Sequence, residues 1–70
     1  MNQEKLIASI EADLEKLENN LARERGLNLL IDLYARIRQL PPSQTKEALL
    51  KRHEMLERAV LNARILARSP

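Results

Sequence analysis

The feature that most constrains this chain is the proline pair Pro41-Pro42, which stands between two stretches with helical leucine and isoleucine spacing. A proline removes a backbone donor and pushes the preceding residue out of the α region, so a helix that arrives at Leu40 has to end there. Ser43 follows as a candidate N-cap for the next helix. The sequence therefore predicts an all-α fold, a single domain over residues 1–70, in which two long helices form an antiparallel hairpin about the prolines.

The apolar pattern changes within the first arm of this hairpin. From Ile7 to Leu21 the apolar residues alternate steps of three and four, which draws a narrow stripe suited to one neighbouring helix. Between Gly26 and Leu40 they cover roughly 200° of the helix circumference, more than one antiparallel helix covers. A glycine costs about 1 kcal/mol in a helix interior relative to alanine. Gly26 is therefore a kink, a tolerated residue, or a break that gives a third helix.

The second arm, residues 44–68, has no glycine or internal proline. The four-residue spacing of Ala59, Ala63 and Ala67 on its main stripe lets another helix approach closely. Apolar residues also flank this stripe, at Leu50, Leu61 and Ile65 on one side and at Met55 and Leu66 on the other. Excess apolar surface in so small a domain predicts association with another chain or another copy.

Charge is segregated along the chain. Residues 1–24 hold three Lys or Arg against six Asp or Glu, a net charge of −3, whereas residues 25–70 hold nine against four, a net charge of +5. If the chain folds back at the prolines, the acidic start lies beside the basic end. Acids early and bases late also suit the helix dipoles, so both interpretations stand.

Composition excludes several classes of function. With no cysteine and one histidine, the chain offers no disulfide and no zinc site. His53 and Glu57 share a helical face, but no further ligand or nucleophile is evident, and we interpret His53 as a surface residue beside the main stripe. Tyr34 is the only aromatic residue and acids interleave the arginines, so a nucleic-acid interface is not expected. We predict no enzymatic activity, cofactor, metal or small-molecule substrate.

The N-terminal residues show no signal peptide, and no apolar run approaches the roughly 20 residues needed to cross a bilayer. We therefore expect a soluble, cytoplasmic protein without a membrane partner. Tyr34 is either a buried tyrosine or an aromatic anchor at an interface. The candidate partner-binding residues are this tyrosine and seven apolar residues of the second arm: Tyr34, Leu56, Ala59, Val60, Leu61, Ala63, Ile65 and Leu66.

The second half of the chain resembles a known family. The residues that carry the resemblance are Pro42 and Gln44 at the turn, then the string from Leu56 to Val60 ahead of Ile65-Leu66. They are similar to the small co-chaperones of type III secretion needle subunits, the YscE, PscE and SsaE type. The resemblance covers about 30 of the 70 residues.

The resemblance implies a cytosolic helical hairpin with no enzymatic activity. Such a protein pairs with a tetratricopeptide-type helical-repeat chaperone subunit, and together they hold the needle subunit unpolymerised. The family's partner-facing surface would fall on the last arm at Leu56, Val60, Leu61, Ala63 and Ile65. The alternative is a homo-oligomer, in which two hairpins form a self-contained four-helix bundle with a structural or RNA-regulatory adaptor role.

Overall fold

The computed structural model describes residues 3–22 and 24–68, with side chains through residue 66. Three α-helices occupy these residues: α1 (Gln3–Asn19), α2 (Gly26–Arg38) and α3 (Gln44–Arg68). No strand occurs in the described ranges, and the molecule measures 47 × 17 × 16 Å along its principal axes. The prediction of an all-α fold is confirmed. The first arm consists of two helices, so the break that the sequence left open near Gly26 is present.

The break between α1 and α2 follows from packing at Gly26. Arg25 precedes α2 in the left-handed conformation, with φ 66° and ψ 17°, and its carbonyl accepts a hydrogen bond from the Leu29 N–H at 3.0 Å. Gly26 itself is buried and has no positive φ. A Cβ atom at Gly26 would lie 3.3 Å from Leu17 Cδ1 and 3.8 Å from Val60 Cγ1. The glycine therefore lets the start of α2 approach both α1 and α3.

The link between α2 and α3 contains the proline pair. The Gln39 N–H donates to the Arg36 carbonyl and the Leu40 N–H to the Ile37 carbonyl, each at 3.1 Å. These three-residue bonds tighten the chain past the last residue of α2. Ser43 Oγ accepts a hydrogen bond from the Lys46 N–H at 3.1 Å, which confirms the predicted N-cap of α3.

The core runs along the line where the three helices meet. Each helix contributes three buried hydrophobic residues and the turn contributes one: Ile10, Leu14 and Leu17 from α1, Leu30, Leu33 and Ile37 from α2, Leu40 from the turn, and Leu49, Leu56 and Val60 from α3. The wide apolar arc of α2 thus packs against two neighbours rather than one. None of the helices, as far as the chain is described, is long and apolar enough to cross a membrane.

Candidate protein-binding groove between α2 and α3

A groove of about 610 Å³ lies between α2 and α3, and we call it the α2/α3 groove. Its lining is mostly apolar: Leu27, Leu30, Ile31 and Tyr34 from α2, and Leu50, His53, Glu54, Glu57 and Leu61 from α3. The described part of α1 contributes no side chain to this lining. Leu50 and Leu61 are eleven residues apart on one helix, so the groove extends about 16 Å, or three helical turns.

His53 forms part of the groove floor. The side chain is buried, with 6% of its surface exposed, and Nε2 lies 2.8 Å from the Leu30 carbonyl oxygen. A carbonyl oxygen only accepts, so Nε2 carries the proton and donates it. The interpretation of His53 as a surface residue is therefore wrong. The residue continues the core stripe four positions after Leu49 and three before Leu56, and its polar atom has a partner on α2.

Tyr34 stands above His53 on the α2 side. The two ring centroids are 5.5 Å apart with the planes tilted by 42°, and the tyrosine remains 44% exposed. The Arg38 guanidinium lies 5.7 Å from the centroid of the tyrosine ring, within the range of a cation–π contact. Tyr34 is thus neither fully buried nor free of contacts: one face packs on the floor and the remainder is accessible.

The rim of the groove differs on its two sides. On the α2 side Ile31 is 69% exposed, whereas on the α3 side the rim carries the carboxylates of Glu54 and Glu57. Glu54 approaches Arg58 at 3.7 Å, a contact between two exposed side chains of one helix. Glu57 forms no ion pair with any described residue. The groove therefore has an apolar rim on one side and an acidic rim on the other.

A second depression, of about 600 Å³, lies between α1 and α3. An ion pair crosses it, in which Arg52 donates to both carboxylate oxygens of Glu18 at 2.6 and 3.0 Å. The guanidinium holds the pKa of the Glu18 carboxyl below its ordinary value of 4.5, chiefly through this hydrogen bonding. Leu21 and the 73% exposed Met55 lie beside the pair. A charged pair that is already satisfied makes this depression the weaker candidate for a binding site.

α1 is held in place by a second ionic contact, on the side of α2 away from the groove. Arg36 of α2 donates to Asp13 at 2.6 Å and to Ser9 Oγ at 2.7 Å, and it also pairs with Asp32 at 2.7 Å. The Arg36 side chain is 18% exposed, so solvent screens these contacts less than those of a surface pair. They leave α1 fixed against α2 without any contribution to the groove.

The structure divides the eight candidate partner-binding residues among several places. Tyr34 and Leu61 line the α2/α3 groove, and Ala59 and Leu56 line the depression between α1 and α3. Leu56 and Val60 are 4% and 0% exposed, so both belong to the core. The other three lie further along α3: Ala63 is half-buried, and Ile65 and Leu66 are 64% and 73% exposed.

Seven residues of the groove lining are not among the partner-binding residues predicted from the sequence: Leu27, Leu30, Ile31, Leu50, His53, Glu54 and Glu57. The first three belong to the wide apolar arc after Gly26, which is larger than one helix covers. Spacing along one helix does not reveal which part of such an arc a second neighbour leaves uncovered. The wide apolar arc was the sequence signal for the first three of these groove residues. Which part of the arc stays exposed depends on where α1 packs against α2.

Within the described residues no three His, Asp or Glu side chains converge in a way that could hold a metal ion. Comparison with models of protein families, with curated proteins and with solved structures finds no significant match.

Proposed function

We propose that this chain is a non-enzymatic helical module that binds another protein, and that the α2/α3 groove is its binding surface. The observation that carries the proposal is the accessible apolar surface of this groove, where Ile31, Tyr34 and Leu61 are 69%, 44% and 43% exposed. Contiguous apolar surface on a small domain marks an interaction site. His53, the one imidazole, is occupied by the Leu30 carbonyl and buried, which supports a structural role.

In this proposal α2 and α3 form an antiparallel hairpin about the proline pair, with α1 packed along one side. Three contacts support the arrangement, because residue numbers fall along α2 as they rise along α3: Arg38 carbonyl with Lys46 Nζ, Leu30 carbonyl with His53 Nε2, and Gly26 with Val60. A partner helix in the groove would lie against both arms of the hairpin and complete a four-helix bundle.

A narrower form of the proposal is a co-chaperone of the type III secretion needle. In this form the chain pairs in the cytosol with a helical-repeat chaperone subunit and keeps the needle subunit unpolymerised. Its support is the resemblance of the second half of the chain, together with the accessibility of Leu61 on the arm that the resemblance assigns to the partner.

The competing proposal is a homodimer with a structural or RNA-regulatory adaptor role. The observation that favours it is the exposure of Ile31 and Tyr34, which belong to the wide arc that a second copy would bury. A homodimer needs no other protein, so the two proposals differ in what accompanies the chain from the cell.

The test is affinity purification from the native cell, followed by mass spectrometry and light scattering of the recovered complex. Ile31→Asp places a charge on the groove rim, and because Ile31 is largely exposed the variant should fold normally by circular dichroism. Asn28→Asp is the matched control, since it adds the same charge at an exposed position of α2 outside the groove lining.

We expect the wild type and Asn28→Asp to recover a helical-repeat protein with a needle-like subunit, and Ile31→Asp to lose both. Recovery of a homodimer alone, disrupted by Ile31→Asp, would support the competing proposal. Equal recovery of the same partners by all three proteins would place the binding surface outside the groove and overturn the proposal.

A further inference from the structure

We propose that the occupant of the α2/α3 groove is an amphipathic helix of another protein, with basic residues along the side that lies next to α3. This inference rests on the proposed function and specifies the chemistry of the partner.

The shape of the groove favours a helix. Its walls are two helices and its length of about 16 Å matches three turns of a third helix, which would place apolar residues at i, i+3 or i+4, and i+7 against the floor. Binding of a peptide by β-strand addition needs a sheet edge, and the described residues contain no strand. A small molecule needs a pocket that buries most of its surface, whereas Ile31 and Leu61 remain accessible here.

The charges of the rim favour basic residues on one side of that helix. Glu57 has no ion-pair partner among the described side chains, and Glu54 has only the exposed contact with Arg58 at 3.7 Å. Both carboxylates lie on the α3 rim, and the α2 rim opposite them offers Leu27 and Ile31. A partner helix with Lys or Arg on its α3 side would pair with the two carboxylates while its leucines cover the apolar rim.

A second copy of this chain fits the groove less well. A twofold dimer uses the same surface on both copies, so the acidic rim would face either itself or the apolar α2 rim of the other copy. The groove lining contains no Lys or Arg; Arg38, outside the lining, lies over the Tyr34 ring and about 10 Å along the helix from Ile31. The groove surface of a second copy therefore offers no cation to pair with Glu57.

The experiment uses the full chain and two fluorescein-labelled, alanine-based peptides that differ only in charge. Both carry leucines at i, i+3, i+7 and i+10, and one flank of this stripe bears arginines in the basic peptide and glutamates in the acidic peptide. The chain has a formal net charge of +2, so non-specific attraction favours the acidic peptide. Dissociation constants are measured by fluorescence anisotropy.

We expect the basic peptide to bind about three- to ten-fold more tightly, as two partly exposed ion pairs allow. Glu54→Gln with Glu57→Gln should reduce this preference to below about two-fold. The matched control is Glu11→Gln with Glu15→Gln, which removes two exposed carboxylates from α1 and should leave the preference unchanged. Ile31→Asp should abolish the binding of both peptides.

The outcomes separate this inference from the proposed function. Binding of both peptides with equal affinity, lost in Ile31→Asp, would retain the groove as a binding site and overturn the basic helix. Binding that Ile31→Asp leaves intact, or no binding by the wild type, would overturn both proposals. Light scattering that shows a dimer disrupted by Ile31→Asp would make a second copy the occupant and overturn the inference.

Discussion

At the scale of single residues, the positive φ before α2 lies at Arg25 rather than at the neighbouring Gly26. Glycine is the residue that reaches positive φ without steric cost, yet the positive φ belongs to Arg25. Gly26 has an ordinary helical conformation and is needed for its missing side chain, because a Cβ atom would press on Leu17 at 3.3 Å. The chain has one glycine, and it lies at the position where close packing leaves no room for a side chain. The adjacent Arg25 has the strained left-handed backbone conformation instead.

This strain makes Arg25→Gly a stabilising substitution. The left-handed conformation costs a non-glycine residue about 1–2 kcal/mol, and the greater freedom of glycine in the unfolded chain offsets about 0.4–1 kcal/mol of that gain. We expect the free energy of unfolding to rise by about 0.5–1 kcal/mol, measured by urea denaturation. Glu24→Gly is the control, because Glu24 has no positive φ and should lose stability. Equal losses in both variants would contradict the assignment of strain to Arg25.

At the scale of helices, α1 is joined to α2 and α3 by its buried stripe and by two ionic contacts. Asp13 meets Arg36 of α2, and Glu18 meets Arg52 of α3, each at 2.6 Å. The acidic first helix thus pairs with basic residues of both later helices. The charge pattern of the sequence predicts that the acidic start lies beside the basic end of the chain, whereas the partners are Arg36 and Arg52. Charge counts give the sign and order of charges but not which residues meet.

The Glu18 contact gives a measurable pH dependence. Its pKa is lowered in the folded state, so the contact stabilises the fold above the unfolded pKa, and this contribution is lost as pH falls through the folded pKa. At pH 7 we expect Glu18→Gln to lower the free energy of unfolding by about 0.2–1 kcal/mol, because both side chains are partly exposed. Below pH 4.5 the difference from wild type should shrink towards zero.

Urea denaturation between pH 7 and pH 3 measures this difference, with Glu15→Gln as the control for a carboxylate of the same helix. Glu15 is exposed, and it raises the pKa of Arg52 less than Glu18 does. A difference between wild type and Glu18→Gln that stays constant across this range would show that the carboxylate contributes through packing rather than through its charge.

The elements of the fold differ in how far the sequence determined them. Pro41-Pro42 and Ser43 fixed the end of one helix region and the start of α3, because each acts through local backbone chemistry. The sequence left open whether the helix breaks near Gly26, because tertiary packing can outweigh a helix penalty of about 1 kcal/mol. Leu56 and Val60 were assigned to a partner because a stripe looks the same whether its neighbour belongs to the same chain or to another.

At the scale of the whole molecule, the helices differ in length. α3 has 25 residues against 13 in α2, and Val60 already lies beside Gly26 at the start of α2. Residues 61–68 therefore continue about 12 Å past the beginning of α2. Leu61 closes the α2/α3 groove at this end, and Leu66 is 73% exposed beyond it. The transition from core to accessible surface thus falls between two adjacent residues, Val60 and Leu61.

Aspartate at these two positions should give opposite results. Val60 is 0% exposed, and an unpaired buried charge costs about 3–5 kcal/mol, which is comparable with the stability of so small a domain. We expect Val60→Asp to lose its helical circular dichroism and its cooperative thermal transition. Leu61 is 43% exposed, so Leu61→Asp should remain folded but bind the basic peptide at least ten-fold more weakly, as a charge in a desolvated contact requires.

Asn62→Asp, at the next exposed position of α3, is the control for an added charge and should change neither property. A folded Val60→Asp that still binds would mean that Val60 is not enclosed by the three helices. Loss of the fold in Leu61→Asp would mean that Leu61 belongs to the core, and the groove would then end one turn earlier, at Glu57. If Val60→Asp unfolds the chain and Leu61→Asp weakens only peptide binding, the boundary of the core lies between these two residues.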